Sequence, residues 1–441
     1  MRFFDRDNEI DKLRNIREMS HQVAQFTVVT GRRRIGKTSL VLHAYCDEPI
    51  LYFFVSRKVE RELCADCARE IEEKLGVPLL GQPERFAQVF EFLMKFARDH
   101  HFTVVIDEFQ EFYRVNKAVF GDMQKIWDLH KSEAHINLLV CGSVNSLMNK
   151  IFCDKKEPLY NRQTQRITVR PFSPHVLQQI MAKYSPHCTS EDLLALYLYT
   201  GGVAKYVELL VDCGNLTANE MLEAIVTQDS PFIDEGRSML VEEFGRDYTV
   251  YFSILSLIAQ GHNTRSVMED ILKKEVGGYL TRLEYDYSLI NKAQPLFERS
   301  PRKNVHYEIR DNFLRFWFRF VFKYNYMLEI GAYGKLVEII ARDYETYSGL
   351  VLEDFFRQRL AESQKYTRIG SWHDRRGENQ IDIIAADELG KTVEFIEVKR
   401  QKRNIDLAIL RAKAEVFLNT TKEFAGYDIS YRGLSLDDVL T

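Results

Sequence analysis

The chain has 441 residues, a formal net charge of −4 at pH 7, 45% hydrophobic residues and 28% charged residues. Its length predicts about two to four domains, and its composition is typical of a soluble globular protein. The slight acidity excludes a chain that coats nucleic acid through bulk charge, so any such contact must be local. No apolar run approaches the roughly 20 residues needed to cross a bilayer, and the N-terminus lacks the pattern of a signal peptide, so we expect a cytoplasmic protein.

The seven cysteines are odd in number and show no regular spacing, which is typical of a reducing compartment. One pair, Cys64 and Cys67, forms a CxxC motif in a segment predicted to be helical. A structural zinc site needs about four ligands, and no second pair with suitable spacing lies nearby. Metal or redox chemistry stays open for this pair, but ordinary helix cysteines are the favoured interpretation.

Residues 1–171 alternate short β-branched runs with segments of helical length. The predicted strands are 26–29, 50–55, 102–107, 136–142 and 166–171. Their apolar runs are continuous, which indicates strands buried on both faces. We therefore predict an α/β domain with a mainly parallel sheet and helices on both sides.

The middle of the chain predicts two further domains. Residues 172–244 show only helical patterns, with Gly201-Gly202 as the turn between two helices. In residues 245–330, three predicted helices are followed by two strand-like stretches, PLFERS and VHYEIR, joined by the basic turn at 301–304. That order is typical of a winged helix.

The last part of the chain returns to an α/β pattern. The aromatic-rich stretch 313–328 is apolar around most of a helix, so we expect it to be buried between domains. Residues 331–441 then contain a long predicted helix followed by strands at QIDIIAA and TVEFIEVKR. We assign them to a fourth domain of α/β type.

A phosphate-binding loop runs from Gly31 through Gly36, Lys37 and Thr38, and matches GxxxxGK[ST] in full. It follows a predicted strand and precedes a predicted helix, where backbone N–H groups can surround phosphates. We expect Lys37 to reach the β- and γ-phosphates of ATP, and the Thr38 hydroxyl to join the Mg²⁺ shell. Arg34 and Ser39 complete the predicted nucleotide-binding residues of the loop.

The second part of the predicted nucleotide site is the strand FTVVID, which ends in Asp107-Glu108. One carboxylate would lie beside Mg²⁺, and the other would orient or deprotonate water. Ser143 ends a strand expected between the two motif strands. Its hydroxyl either binds the attacking water or the phosphate, or belongs to a plain strand-end serine. Arg162 is a candidate arginine finger in cis or across a subunit boundary, although the three arginines of the loop also lie near the phosphates.

These motifs resemble those of prokaryotic and archaeal ATPases of the AAA+/STAND group that carry a C-terminal restriction-endonuclease-like domain. The resemblance covers the whole chain and implies that a box around Arg6 contributes to the adenine pocket, with Asp5 where glycine is usual. It also implies that residues 172–244 are a helical lid, whose GG-x-P motif stands here as Gly201-Gly202-Val203-Ala204. The arginine segment of the group, usually Tyr-Gly-Arg, is Tyr160-Asn161-Arg162.

Two strands of the last domain carry a candidate metal site. Neighbouring strands would bring Asp382 to the same edge as Glu397 and Lys399, which are two residues apart and so point to one face. Two carboxylates that bind Mg²⁺ and a nearby cation are the groups that phosphodiester cleavage needs. The pattern resembles that of the PD-(D/E)XK nucleases, which implies that Glu353 on the preceding helix joins the metal shell. An active nuclease and a fold retained for binding both stay open.

Contact with nucleic acid is predicted at two places. A basic rim surrounds the acidic cluster and consists of Arg375, Arg376, Lys399, Arg400, Lys402 and Arg403. In the winged-helix section, the third helix offers Arg282 but also Glu284 and Asp286, so the turn at 301–304 is the better phosphate contact. A DNA-binding module and a protein–protein module both stay open.

Two functions fit these observations. The first is an ATP-driven enzyme acting on DNA, in which the ATPase core gates a Mg²⁺-dependent nuclease-like domain and the winged helix docks the duplex. The second is a signalling switch, in which exchange of ATP and ADP changes domain packing and the nuclease-like domain is a non-catalytic binding module. The predicted cofactors are ATP and Mg²⁺. The predicted partners are DNA and either a second copy of the chain or a regulatory protein, without a membrane.

Overall fold

The computed structural model describes residues 1, 3–79, 81–293, 305–374, 378–421 and 423–441. The chain forms two compact units, one of Asp5–Arg170 and one of Pro171–Thr441 together with Met1–Phe4. The division falls one residue before the predicted end of the first domain. The three later sections of the chain pack within a single unit.

The unit Asp5–Arg170 is built on one parallel sheet. Its strands are β1 (Gln25–Thr30), β2 (Ile50–Phe54), β3 (Phe102–Asp107), β4 (Ile136–Gly142) and β5 (Gln165–Thr168). Its helices are α1 (Asp7–Ser20), α2 (Lys37–Ala44), α3 (Glu60–Leu75), α4 (Phe86–Phe96), α5 (Phe112–Val115), α6 (Ala118–His130) and α7 (Asn145–Cys153). The strand order is β2-β3-β4-β1-β5, with parallel pairing throughout. β4 lies between β1, which precedes the phosphate loop, and β3, which ends in Asp107. The prediction of an additional strand between the two motif strands is therefore confirmed.

The sequence of this unit explains why its strands lie at the centre. Every residue of β1, β3 and β4 is buried, as expected for apolar runs covered by helices on both faces. Phe26 of β1 packs edge to face against Trp127 of α6, with ring centroids 5.2 Å apart. Gly36 precedes α2 with a φ of 92°, a left-handed conformation that favours glycine. This turn fixes the start of α2 at the carboxyl end of the sheet.

The first part of the second unit is helical, as predicted. Its helices are α8 (Pro174–Tyr184), α9 (Ser190–Thr200), α10 (Ala204–Asp212), α11 (Ala218–Ile225) and α12 (Pro231–Phe244). Gly201 and Gly202 form the turn after α9 with φ values of 57° and 72°. A Cβ on Gly202 would lie 2.2 Å from the carbonyl oxygen of Phe172, so this position requires glycine. Ala204 is the first residue of α10, where the proline of the GG-x-P motif would also fit because no N–H is needed there.

The next section contains three helices and a small antiparallel sheet. The elements are α13 (Tyr248–Ala259), α14 (Arg265–Leu272), α15 (Gly277–Tyr285), β6 (Ile290–Ala293) and β7 (His306–Ile309). β6 pairs with β7, and Thr264 forms an isolated bridge with His306. The third helix ends at Tyr285, and Ser288, between this helix and β6, has a φ of 54°. The predicted strand PLFERS and the turn at 301–304 lie outside the described residues.

The aromatic stretch 313–328 is not one regular helix. It comprises α16 (Asn312–Phe316), a π-helical segment (Trp317–Phe322) and α17 (Asn325–Glu329). The side chains of Phe313, Phe316 and Phe318 are fully covered. In this respect the burial expected from the sequence is observed.

The chain ends in a four-stranded mixed sheet. The elements are α18 (Tyr333–Glu362), β8 (Arg368–His373), β9 (Gln380–Asp387), β10 (Thr392–Lys399), α19 (Leu407–Thr420) and β11 (Asp428–Ser435). The strand order is β11-β10-β9-β8, with β10 and β11 parallel and the other pairs antiparallel. Phe395 and Trp372 pack against Phe417 of α19 to form the core of this sheet. Among the helices in the described ranges, none has the length and apolar character needed to span a bilayer.

Candidate functional site

The phosphate loop has the geometry that its motif predicts. Gly31 and Gly36 both have positive φ, and a Cβ on Gly31 would lie 2.6 Å from the carbonyl oxygen of Val169. The Lys37 ammonium donates to the carbonyl oxygens of Gly31 and Arg32, each at 3.0 Å. Burial lowers the pKa of Lys37, and the charge of Glu108 opposes this shift. The loop therefore holds one buried cation beside the N-terminus of α2, where a phosphate would bind.

Two other loop residues predicted to bind the nucleotide have exposed side chains. Arg34 has a φ of 63°, which turns the loop in the left-handed region, and Ser39 lies in the first turn of α2.

Asp107, at the end of β3, forms the centre of the hydrogen-bond network. One carboxylate oxygen, Oδ2, accepts from the Thr38 hydroxyl at 2.7 Å and from the Tyr52 hydroxyl at 2.6 Å. The other, Oδ1, accepts from the backbone N–H of Glu108 at 2.8 Å. Hydroxyl and carboxylate oxygens are the ligands that Mg²⁺ prefers, so this donor set fits the ion of Mg-ATP. The structure thus brings Thr38 and Asp107 together as predicted.

The side chain of Glu108 has different hydrogen-bond partners from that of Asp107. Its φ of 53° places it in the left-handed region directly after β3. The Ser143 hydroxyl donates to both Glu108 carboxylate oxygens, at 2.8 and 3.1 Å, and Gln110 Nε2 donates to one of them. Of the two predicted roles for Ser143, neither anticipated this contact. The hydroxyl orients the Glu108 carboxylate.

Two residues of this network were missed from the sequence. Tyr52 lies inside the apolar strand β2, and Gln110 lies in the turn after β3. A hydroxyl inside an otherwise apolar strand was the one available signal for Tyr52, but the sequence does not show that this strand pairs with β3. Gln110 is buried, and its sequence context, FQEF, carried no comparable signal.

Arg6 and Arg162, the two predicted arginines outside the phosphate loop, have well-defined partners. Arg6 is buried, donates to the carbonyl oxygen of Arg170 at 2.6 Å and forms an ion pair with Glu9 at 3.6 Å. Arg162 forms an ion pair with Asp128 of α6 at 3.0 Å. A finger role for Arg162 therefore requires this ion pair to open.

Asp5 and Asn161 stand where the ATPases that this chain resembles usually carry glycine, and both have a left-handed backbone. Asp5 has a φ of 57° and Asn161 has a φ of 54°. Aspartate and asparagine tolerate this region better than other non-glycine residues. The structure therefore explains why glycine is usual at these two places.

The C-terminal acidic cluster forms on neighbouring strands β9 and β10. The Lys399 ammonium lies 3.2 Å from Asp382 Oδ2 and 3.4 Å from Glu397 Oε1. Burial disfavours the charged lysine, but Asp382 and Glu397 outweigh this effect and raise the pKa of Lys399. Lys413 of α19 lies 3.8 Å from Glu397 Oε1. The structure thus brings the three predicted residues together, with the Lys399 ammonium beside both carboxylates.

Glu353 of α18 also faces this cluster. Burial, together with the charge of Asp382, raises the pKa of Glu353 to about 8. Within the described ranges, no three His, Cys, Asp or Glu side chains are grouped closely enough to hold a metal ion.

The basic rim predicted around the cluster requires a correction at Arg400. Its guanidinium pairs with Glu191 of α9, donates to Ser348 Oγ and lies over the Tyr344 ring, so it is not available to a phosphate backbone. Lys402 and Arg403 are exposed, whereas Arg375 and Arg376 lie outside the described residues. In the described part of the chain, the rim therefore offers fewer basic side chains to a phosphate backbone than the sequence predicted.

On α15, the third helix of the section that begins at Tyr248, the charge of Glu284 is compensated nearby. Glu284 of α15 forms an ion pair with Lys292 of β6 at 2.7 Å. Arg282 is exposed on the same helix. Among the residues predicted to contact DNA, α15 therefore carries one exposed basic side chain, that of Arg282.

The CxxC pair lies on α3, inside the core of the first unit. Both thiols are buried, and burial raises the pKa of Cys64 to about 12. A protonated, enclosed thiol is a poor nucleophile and a poor metal ligand. The geometry favours ordinary helix cysteines.

A parallel sheet in the order β2-β3-β4-β1-β5, with a glycine loop between β1 and α2 and Asp107 beside Thr38, defines a P-loop ATPase fold of the additional-strand type. Comparisons with known proteins agree. Residues 3–210 match a family described as an ATPase domain predominantly from Archaea, and residues 317–412 match a family described as archaeal and bacterial proteins of unknown function.

Two relatives extend this comparison. An uncharacterized protein of Methanocaldococcus jannaschii is 27% identical over 407 residues, which cover 90% of this chain and 87% of that protein. A solved Walker-type ATPase of Pyrococcus abyssi is similar with a TM-score of 0.54 and 20% identity, covering 72% of this chain and 96% of that one. The family match supports ATP binding and ATPase activity for residues 3–210, and the solved structure supports the fold.

Proposed function

We propose that the chain is a Mg²⁺-dependent ATP hydrolase whose nucleotide state controls a DNA-binding winged helix and a nuclease-like C-terminal domain. The observation that carries the proposal is the division of work between the two carboxylates after β3. Asp107 faces the Thr38 hydroxyl, whereas Glu108 faces Ser143. One carboxylate is thus placed for a metal ion and the other for water.

Each group in the site has a separate task. Lys37 neutralises phosphate charge at the N-terminus of α2. Thr38 and Asp107 would hold Mg²⁺, which supplies charge stabilisation for the transferred phosphoryl group. Glu108, oriented by Ser143, accepts the proton of the attacking water. Arg6 contributes to the nucleotide pocket, and Arg162 would stabilise the transition state after it leaves Asp128.

The test of the nucleotide site compares Lys37→Ala with Lys58→Ala. Lys58 belongs to the same unit but has an exposed side chain paired with Asp66. We expect Lys37→Ala to lose ATP binding and hydrolysis, and Lys58→Ala to keep both. Hydrolysis at the parental rate in Lys37→Ala would show that the site is assigned wrongly.

The nuclease-like assignment rests on topology and on the acidic cluster. The cluster lies on the adjacent strands β9 and β10 of a mixed sheet that follows the long helix α18, and this placement supports a PD-(D/E)XK domain. Asp382 and Glu397 would be the two carboxylates that hold Mg²⁺. The metal would supply Lewis-acid chemistry, and Lys399 would hold a phosphate oxygen.

Cleavage assays test this assignment. Linear, branched and single-stranded DNA are incubated with Mg²⁺ or Mn²⁺, using the parent, Asp382→Ala and Glu394→Ala. Glu394 lies on β10 three residues from Glu397 and therefore on the opposite face. We expect cleavage by the parent and by Glu394→Ala, and none by Asp382→Ala. Equal cleavage by all three would assign the activity elsewhere.

A signalling switch is the alternative, and one observation favours it. Lys399 and Lys413 already neutralise the two buried carboxylates, and Arg400 is engaged with Glu191. A charge-balanced cluster would serve a binding module as well as an enzyme. The absence of cleavage on every DNA, with ATP hydrolysis intact, would favour this alternative.

The proposed DNA contact and oligomer can be tested separately. The order of α13, α14, α15, β6 and β7, with the bridge at Thr264, supports a winged helix that binds DNA. We expect Arg282→Ala to weaken binding of duplex DNA, whereas unchanged binding would favour a protein–protein module. Mixing Lys37→Ala with Arg162→Ala subunits would restore ATP hydrolysis only if Arg162 acts on a neighbouring copy.

A further inference from the structure

We propose that Tyr52 is a positioning residue for the Asp107 carboxylate and that it sets the contribution of Mg²⁺ to ATP binding. This inference rests on the proposed ATPase function. Tyr52 belongs to neither sequence motif, yet its hydroxyl lies 2.6 Å from Asp107 Oδ2. The same oxygen accepts from Thr38 at 2.7 Å.

The acceptor sites of Asp107 are nearly all used. A carboxylate offers about four lone-pair sites. The Thr38 and Tyr52 hydroxyls take two on Oδ2, and the Glu108 N–H takes one on Oδ1. The three donors therefore fix the rotation of the buried carboxylate. They also determine which acceptor site remains for the Mg²⁺ shell.

The backbone pairing of Tyr52 places its hydroxyl beside Asp107. In β2 it is paired with Val105, two residues before Asp107 on the neighbouring strand. Its backbone N–H is directed toward the Glu70 carboxylate at 3.5 Å. Its side chain lines a cavity of about 320 Å³, together with Cys67 and Glu70. The hydroxyl is the only polar atom of the Tyr52 side chain, and it donates to Asp107.

The physical consequence follows from how metal ligands are oriented. Groups that hydrogen-bond a metal ligand fix its direction, and their removal typically weakens metal binding about 10- to 100-fold. An ordinary tyrosine hydroxyl has a pKa of about 10 and therefore donates at physiological pH. Phenylalanine keeps the ring and removes only this donor.

The experiment measures the affinity for a fluorescent ATP analogue with Mg²⁺ and with EDTA. It compares the parent with Tyr52→Phe and Tyr113→Phe. Tyr113 is a matched control because its hydroxyl also donates to a carboxylate of the same unit, Glu157 at 2.7 Å. We expect Tyr52→Phe to bind the analogue about 10- to 100-fold more weakly with Mg²⁺ and about equally in EDTA. We expect Tyr113→Phe to match the parent in both conditions.

Two results would overturn the role of Tyr52 while leaving the ATPase function intact. One is a Tyr52→Phe variant with parental affinity in Mg²⁺. The other is an equal loss of affinity in Mg²⁺ and in EDTA, which would indicate a structural role. Thermal unfolding of both variants checks that each remains folded. A parent that neither binds the analogue nor hydrolyses ATP would overturn the proposed function itself.

Discussion

The contact between Ser143 and Glu108 gives a quantitative prediction for the Ser143→Ala variant. The hydroxyl lies 2.8 and 3.1 Å from the two carboxylate oxygens. A hydrogen bond to a charged group contributes about 1.5–3 kcal/mol. Since about 1.36 kcal/mol corresponds to a tenfold change in rate, we expect kcat to fall roughly 10- to 150-fold. ATP affinity should stay within about twofold, because Ser143 orients Glu108 and not the phosphate loop.

Single-turnover release of the γ-phosphate measures this effect directly. In a Glu108→Gln background, Ser143→Ala should cause little further loss, because the group it orients is already absent as a base. Ser20→Ala is the control, since Ser20 is a buried serine of the same unit. An unchanged kcat in Ser143→Ala, or the same loss in both backgrounds, would refute the proposed role.

Two further predictions concern the folding of each unit. Burial and the neighbouring His21 lower the pKa of His101 to about 4. Because an unfolded histidine takes up a proton near pH 6.5, stability is full above that pH and is lost as the pH falls toward 4. Thermal unfolding of His101→Gln should show a weaker dependence on pH in this window than the parent, and an identical dependence would contradict the reasoning. In the second unit, Gly202→Ala should lower Tm more than Gly214→Ala. Both positions have positive φ, but only the Cβ at Gly202 would meet backbone, the Phe172 carbonyl oxygen. Equal Tm losses would show that backbone strain, not the close approach, dominates.

The sheet and motif residues of the first unit could be predicted because their signals are local. The runs that form β3 and β4 are continuously apolar, and both strands match their predicted bounds. The phosphate loop carries its own pattern, so Lys37 and Thr38 could be placed at the start of a helix. A strand between the two motif strands was expected from the same logic, and β4 occupies it.

The parts that could not be predicted depend on contacts between distant segments. Tyr52 meets Asp107 only because β2 pairs with β3, and no spacing in the sequence encodes that contact. The exposed strand β11 lacks the apolar alternation of a half-buried strand, so its pattern was weak. Arg400 looked like part of a basic rim until the fold placed it against Glu191.

The most direct test of the central claim is the Glu108→Gln variant, measured for both ATP binding and ATP turnover. The amide oxygen can still accept from Ser143, so the fold and the nucleotide pocket should be preserved. We predict ATP affinity within about twofold of the parent and a loss of turnover of about 10²- to 10⁴-fold, as expected when a general base is removed. Turnover at the parental rate would show that Glu108 does not activate water and would contradict the assignment of the site.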